Sequence, residues 1–485
     1  MSKFQKIEIY SQSKKYNLLP FKFDRFDDQR YVITNLAGEY HLINKNKLEL
    51  LVNKTLSKSD EEIANLRSKH FIYYENERSP LELLALKIRT KLARLPTFTN
   101  LHIFVVTLRC DHSCPYCQVS RQSEDKASFD MTEHMADKGL DFVFRSPSEA
   151  IKIEFQGGEP LLNFELIKYI VSGAKKRNEI HNRDLQFVIA TTLSLLTDEI
   201  LDFCYEHSII LSSSLDGPED LHNANRPRPG KNSYQKFTEG LSKARSKLGF
   251  DQVSALMTTT EGSLPRVKEI IDEYLKFGFD GIFLRPLSPY GFAIKTKKFM
   301  AYQAEKWFEF YKEGLDYILE LNMQGINFVE QYTSIVLTKM LTSNDPGYVD
   351  LMNPSGAGIA AIVFNYDGSV YASDESRMLA EMGDQTFKLG NLLNNSYEEI
   401  ILSDNLLDAL DESFTLSAPM CSDCSFEPYC GAEPVYHHAT QKDLVGRKPE
   451  SDFCKRNMSI FKHLIELMEK DHRIKKIFMG WVNRC

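Results

Sequence analysis

Leu108-Arg-Cys-Asp-His-Ser-Cys-Pro-Tyr-Cys117 is the stretch on which the reading of the whole chain turns. Its thiols, Cys110, Cys114 and Cys117, are spaced C-x3-C-x2-C, with the aromatic Tyr116 just before the last. Three thiolates on one short loop suit a 4Fe–4S cube with one iron left without a protein ligand, whereas the cubes of electron-transfer ferredoxins take four cysteines. An incomplete donor set implies an open coordination position, the property that separates catalytic metal sites from closed structural ones. A structural zinc loop short of one ligand is the competing reading, and zinc's preference for a closed tetrahedral set counts against it. His112, inside the loop, is read as facing solvent or substrate rather than as a ligand.

Around this loop the chain alternates between strands and helices. Leu101–Thr107 is an apolar run that ends at the cysteines, and Ile151–Phe155 runs into Gly157-Gly158-Glu159-Pro160. A helix is expected from the cap Asn163, with Phe164, Ile167 and Val171 on one face. Leu185–Thr191, Ile209–Leu215, Val253–Thr258 and Gly281–Leu284 complete six strands, and Pro265 is expected to open the last helix between them, which ends near Gly278. Such alternation predicts an α/β fold with a parallel sheet. The two glycines of Gly157-Gly158 would let a ligand's polar head approach the backbone closely. Ser214-Leu-Asp-Gly-Pro218 begins at the end of the fourth strand, with Arg226 beyond it, and Leu287 lies beyond the sixth.

These motifs, in this order, resemble the radical SAM superfamily. The resemblance implies a partial (β/α)6 barrel of TIM type with its active site at the C-terminal ends of the strands. It also implies S-adenosylmethionine on the open iron of the SAM-binding 4Fe–4S cluster, cleaved by one electron to a hydrogen-abstracting 5′-deoxyadenosyl radical. On that resemblance Tyr116, Gly157, Gly158 and Glu159 contact the cofactor, the glycine segment meeting its methionine end. Ser214 and Arg226 take its ribose and carboxylate, and Leu287 packs on adenine. One motif departs: Thr191-Thr-Leu-Ser-Leu-Leu196 stands where many relatives have Thr-Asn-Gly-Thr-Leu-Leu, so no role of that Asn and Gly transfers.

The C-terminal run Cys421-x2-Cys424-x5-Cys430, with Cys454 further on, resembles the SPASM extension of peptide-modifying relatives. A full extension holds two auxiliary clusters. Here the four cysteines of one set are present, while Ser355, Ser373 and Pro434 stand at positions of the other. The resemblance therefore implies one auxiliary 4Fe–4S cluster, with zinc on the same four cysteines as the alternative. Asp374, next to the vacated Ser373, matches an acid that in some relatives accepts a proton as substrate is oxidised. Cys204 reads as helix core, His437-His438 as surface or near-cluster residues, and nothing is assigned to Cys485.

The chain has 485 residues, 42% hydrophobic and 26% charged, with nine cysteines and a formal net charge of −8. That describes a globular protein of two or three domains. An acidic balance argues against a nucleic-acid partner, and the absence of a signal-peptide core or a long apolar run argues against a membrane and for the cytoplasm. Three regions are expected: 1–95, 96–340 and 341–485. In the first, Tyr31–Ile43 reads as two strands about Gly38, followed by helices at Lys45–Asn53 and Ser59–Ser68, the second with Ser59 and Glu62 in capping-box spacing. This is compatible with a winged-helix-like module that holds a leader peptide as an added strand, or with a plain extension packed on the barrel.

Asn17-Leu-Leu-Pro-Phe-Lys-Phe23, His222-Asn-Ala-Asn-Arg-Pro-Arg-Pro-Gly230 and Ser373-Asp-Glu-Ser-Arg-Met-Leu379 narrow the resemblance to the His-Xaa-Ser system radical SAM maturases of the HxsB type. That family implies a peptide substrate with leader and repeated His-Xaa-Ser units, a reductant of flavodoxin or ferredoxin type, and a second radical SAM maturase. The alternatives are a protein oxidase of the sulfatase-maturing kind and an Fe–S partner that presents substrate to a second enzyme.

Overall fold

The computed structural model describes residues 16–75, 77–119, 121–291 and 304–482. The first residues and Cys485 therefore lie outside it. Five short strands open the chain: β1 (Asn17–Leu18), β2 (Phe21–Arg25), β3 (Arg30–Asn35), β4 (Tyr40–Asn44) and β5 (Ile72–Tyr73). β2, β3 and β4 form an antiparallel sheet, turning at Gly38 in the left-handed region (φ 87°), and β1 pairs with β5. Ile33, Leu48, Leu51, Leu66 and Phe71 give this region its own core. The expected capping box is not formed. The helix runs Glu62–Ser68, and its Glu62 amide is taken by Asp60 Oδ1 at 3.0 Å instead of by Ser59.

The main sheet contains β6 (Leu101–Thr107), β7 (Ala150–Gly157), β8 (Asp184–Ala190), β9 (Ile210–Ser214) and β10 (Val253–Leu256). β13 (Ala361–Phe364), β14 (Ser369–Tyr371) and β15 (Lys388–Asn391) complete it. The order across its eight strands is β10-β9-β8-β7-β6-β13-β14-β15. All neighbours are parallel from β10 to β13, and the last two pairs are antiparallel. Helices Phe164–His181, Asp198–Glu206, Ser233–Leu248 and Val267–Lys276 return the chain between strands. Phe104, Phe155, Ile153, Ile189 and Leu211 fill the interior between helices and sheet. Cys204 is buried on its helix, as its pattern predicts.

Three local expectations are corrected. The sixth strand shortens to β11 (Gly281–Ile282), which pairs with β12 (Val329–Glu330) in a separate two-stranded sheet. The reason lies in the buried Glu330 carboxylate: it accepts from the Leu284 amide at 3.1 Å and the Thr333 amide at 2.6 Å, occupying the donor that would have continued a ladder. Asn163 does not cap its helix. A 3-10 turn, Pro160–Asn163, precedes it, and Asn163 Nδ2 donates to Val106 O at 2.9 Å, tying the turn to β6. The last barrel helix begins at Val267, two residues beyond Pro265, and ends before Gly278, whose φ of 70° reverses the chain.

Phe364 joins β13 to the barrel. Its ring centroid lies 4.9 Å from that of Phe104 and 5.3 Å from that of Phe142, all buried. Phe364→Ala should cost about 3–5 kcal/mol, the range for deleting a buried aromatic. Urea unfolding of the two proteins checks this.

Candidate functional site

The loop that carries Cys110, Cys114 and Cys117 leaves the C-terminal end of β6, and its base is pinned on both sides. Arg109, buried, donates to both oxygens of Asp130 at 2.7 Å and to Leu162 O at 2.8 Å. From the other side the Gly157-Gly158 segment runs backbone against backbone. Gly158 N donates to Thr107 O at 2.9 Å and Glu159 N to Arg109 O at 2.8 Å. A Cβ on Gly157 would stand 2.2 Å from Thr107 O, and one on Gly158 2.2 Å from Arg109 O. The glycines thus have a demand of their own, independent of any ligand: no side chain fits between the two segments.

Glu159 is fully buried and is not among the residues that line the cysteines' cavity. It accepts from Thr191 Oγ1 at 2.7 Å, from Thr192 N and Oγ1 at 2.8 Å each, and from Leu161 N at 3.1 Å. Burial holds its pKa above the usual carboxylate range, against the lowering effect of those donors. Thr191-Thr192, where the sequence departs from the common motif, therefore supplies three of the four donors that fix the glycine turn.

A second buried network holds the other flank. Tyr116 donates to Asp216 Oδ2 at 2.6 Å, Arg226 Nε reaches the same oxygen at 3.1 Å, and the Arg226 guanidinium lies 5.6 Å over the Tyr116 ring. Asp216 N donates to His222 Nδ1 at 3.3 Å, and His222 Nε2 meets Ser233 Oγ at 3.1 Å. That hydroxyl also meets His112 Nε2 at 2.9 Å, and His112 Nδ1 meets Asp111 Oδ1 at 2.7 Å. Contrary to expectation, His112 is buried with both ring nitrogens engaged. It ties the cysteine loop to the helix Ser233–Leu248.

Between these two networks opens a cavity of about 1270 Å³, counting its mouth. The three cysteines line it, together with the last residues of four parallel strands, Gly157, Ala190, Ser214 and Leu256. Tyr116, Gly158, Arg226 and Asp374 line it as well. Asp374 begins the helix Asp374–Ala380 and accepts from the buried Arg377 Nε at 3.3 Å. Leu287, although buried, lines a different cavity. Glu154, Gln156 and Arg285 are also in the wall. For the first two a signal existed: along β7, Ile151, Ile153 and Phe155 face the helices, so the alternate positions face the mouth. None announces Arg285.

The donor chemistry fits a multi-iron group. Burial pushes the Cys114 thiol up to about 12 and Cys110 higher, a cost on the thiolate form that a bound cation would offset. The C-terminal thiols behave alike. Cys421, Cys424, Cys430 and Cys454 line one cavity of about 860 Å³, and burial raises all four, Cys424 to about 12. Sulfurs in both sets accept from amides: Phe426 N to Cys424 at 3.4 Å, Asn457 Nδ2 to Cys430 at 3.6 Å, His112 N to Cys110 at 3.5 Å. Among the described residues, only Cys110, Asp111 and His112 bring three donor atoms within 4.8 Å of one another. The four C-terminal sulfurs are thus spread more widely than the roughly 3.8 Å edge of a zinc tetrahedron with 2.3 Å bonds.

The serines and the proline at the second set's positions have structural tasks. Ser373 caps the helix Asp374–Ala380 in a capping box with Ser376, and Pro434 opens the helix Pro434–Gln441. Ser355 Oγ accepts from Ala357 N at 3.3 Å. His437 is buried against Ser451 Oγ at 2.8 Å, and His438 meets Asp384 at 2.9 Å.

Residues 104–272 match the family model of the Radical SAM superfamily. The proteins similar to the chain around and beyond that stretch include maturating enzymes. The chain is 31% identical over 189 residues to an uncharacterized protein of Methanocaldococcus jannaschii, covering 39% of this chain and 62% of that one, less than two thirds of its length. It is 22% identical over 387 residues to the serine-type anaerobic sulfatase-maturating enzyme of Bacteroides thetaiotaomicron, covering 74% and 88%. Among solved structures, Streptococcus suis SuiB bound to precursor peptide SuiA superposes with a TM-score of 0.52 at 14% identity, covering 91% of this chain and 99% of that one. No helix among the described residues is long and apolar enough to cross a membrane.

His222 carries a pH signature. Burial pushes its pKa down to about 3, so the folded protein keeps it neutral while the unfolded chain takes up a proton near pH 6.5. Stability is therefore lost as pH falls below that value, by about 2 kcal/mol from this residue between pH 7 and 5. Urea unfolding at the two pH values should show His222→Asn losing less than the wild type by about that amount.

Proposed function

We propose that this protein is a peptide-modifying radical SAM enzyme of the His-Xaa-Ser maturase (HxsB) type. The observation that carries the reading is the opening of Cys110, Cys114 and Cys117 into one cavity at the strand ends, which Arg226 and Asp374 also line. Cys110, Cys114 and Cys117 would hold a 4Fe–4S cluster that, with S-adenosylmethionine bound, supplies one-electron cleavage to a 5′-deoxyadenosyl radical able to take hydrogen from a peptide carbon. The protein's own part is to position and to exclude water. Gly157 and Gly158 leave the cavity wall without side chains, Ser214 offers a hydroxyl, and Arg226 a cation held in place by Asp216. Asp374 stands available to take a proton as the peptide is oxidised. Glu159 and Leu287 belong to the same proposal as cofactor contacts, with Glu159 held by Thr191 and Thr192 and Leu287 lining the neighbouring cavity.

Cys421, Cys424, Cys430 and Cys454 are assigned one auxiliary 4Fe–4S cluster in a SPASM-like region, residues 341–485, that follows the barrel region 96–340. Residues 1–95 are read as the winged-helix-like module that takes the leader, with the edge of the β2–β4 sheet as its strand-pairing surface. A flavodoxin- or ferredoxin-like reductant and a second maturase complete the set of partners. The likeness to a peptide-bound SuiB supports a peptide as substrate. The likeness to a sulfatase-maturating enzyme over 74% of the chain favours a second reading, oxidation of a residue in a sulfatase-like protein.

Anaerobic reconstitution followed by dithionite, S-adenosylmethionine and chromatography tests the reading. The expected result is 5′-deoxyadenosine with about eight irons per chain, two cubes' worth. Cys110→Ala/Cys114→Ala/Cys117→Ala should keep about four irons and form none of the nucleoside. No nucleoside from a fully loaded wild type would sink the proposal in favour of a substrate-presenting role.

A further inference from the structure

Helix Asp452–Lys470 turns one face to the interior, and the buried positions along it run from Phe453 to Met468. All of them are apolar except Asn457, which is 0% exposed where the helical spacing demands another apolar side chain. A carboxamide taken out of water costs free energy unless its donor and acceptor ends both find partners.

Both ends of Asn457 are engaged, and by unlike partners. Its Nδ2 donates to Cys430 Sγ at 3.6 Å, and its Oδ1 accepts from the Tyr332 hydroxyl at 2.9 Å. Cys430 Sγ itself donates to Gly431 O at 3.2 Å, so the amide meets a lone pair of the sulfur and not its hydrogen. The reverse orientation of the carboxamide would aim an oxygen at that lone pair. Asn457 also stands one helical turn beyond Cys454, so one helix brings a thiol of the C-terminal set and a donor to another thiol of the same set. Cys424 takes its N–H from the Phe426 backbone, which any residue could supply, whereas the donor to Cys430 depends on the side chain at position 457.

Tyr332 is itself fixed. Its ring lies nearly parallel to that of Phe283, with centroids 5.6 Å apart, and edge-on to that of Tyr348 at 5.9 Å. Its backbone amide donates to the buried Glu330 carboxylate at 3.4 Å. A ring held on two sides places its hydroxyl, and the hydroxyl decides which end of the carboxamide faces the sulfur.

We infer that Asn457 sets the reduction potential of the group held by Cys421, Cys424, Cys430 and Cys454, with Tyr332 as the positioning residue that keeps its N–H on Cys430. This rests on the reading of those four cysteines as the ligands of a 4Fe–4S cluster. Hydrogen bonds to the sulfurs of such a cluster are among the determinants of its potential. An added electron puts more negative charge on the thiolates, and a bond from an N–H to a more anionic acceptor is stronger. The donor therefore favours the reduced state and suits the cluster to accept an electron.

The test uses the full-length chain with Cys110→Ala/Cys114→Ala/Cys117→Ala, which leaves the C-terminal cluster as the source of the signal on reduction. Iron is counted, and the midpoint potential is read by redox titration followed by electron paramagnetic resonance. Asn457→Leu, of similar volume and without a donor, should make reduction about tenfold less favourable, a midpoint about 59 mV lower for a one-electron couple. Tyr332→Phe, which removes one oxygen, should make it about threefold less favourable, and should add nothing once Asn457 is replaced, because the hydroxyl acts through the amide. Additive effects of the two substitutions overturn that coupling and the inference with it. Should Asn457→Leu fail to load, Tyr332→Phe decides alone: a lowered potential supports the inference and an unchanged one overturns it. Unchanged potentials with about four irons bound overturn the inference and leave the cluster. Zinc in place of iron, with no signal on reduction, overturns the cluster reading and the inference together.

Discussion

Everything at the barrel mouth depends on two stretches of backbone that run within hydrogen-bonding distance of each other, Thr107–Arg109 and Gly157–Glu159. Their approach leaves no room for a Cβ on either glycine. It sets where Cys110 begins, because the loop leaves this clamp at once. The clamp is in turn held by side chains on both flanks: Asp130 through Arg109 on one side, and Thr191 and Thr192, which also line the cavity, through Glu159 on the other. A flexible thiol-bearing loop is thereby given a rigid root, which a reactive centre requires for positioning.

On the opposite flank, stability is given up for order. Asp216, His222, Ser233 and His112 are all buried, and polar groups so placed are tolerated because each finds a partner. An apolar core would be cheaper. This arrangement fixes one rotamer of Tyr116 and one of Arg226 against the same carboxylate oxygen, so that an aromatic ring and a cation face the cavity together.

Much of this was legible in the sequence where a residue type has one physical use. The cysteine spacing, the paired glycines after a strand and the alternation of apolar runs with helical faces led to the parallel sheet and to the position of its mouth. What was not legible depended on partners far along the chain. His112 reads as a free loop histidine until Ser233, 121 residues on, is seen beneath it. Gly281–Leu284 has the composition of a barrel strand, yet Glu330 takes its amide. The main sheet gains β13 beside β6 instead, a pairing across more than 250 residues that no local pattern announces. Glu159 shows the same limit: its place in the motif was readable, but not that its carboxylate is buried.

The N-terminal sheet packs against the loop that carries the C-terminal cysteines. Ser425 N donates to Asp24 at 2.7 Å, Lys22 meets Glu427 at 3.0 Å and Tyr429 donates to Gly38 O at 2.7 Å, the first of these across 401 residues. At a translation rate of about 5–20 residues per second, the N-terminal sheet emerges from the ribosome some 20–80 s before the loop it clasps. Its own core lets it fold and wait. The thiols of the C-terminal set, Cys421 to Cys454, therefore come together on a surface that was made long before them.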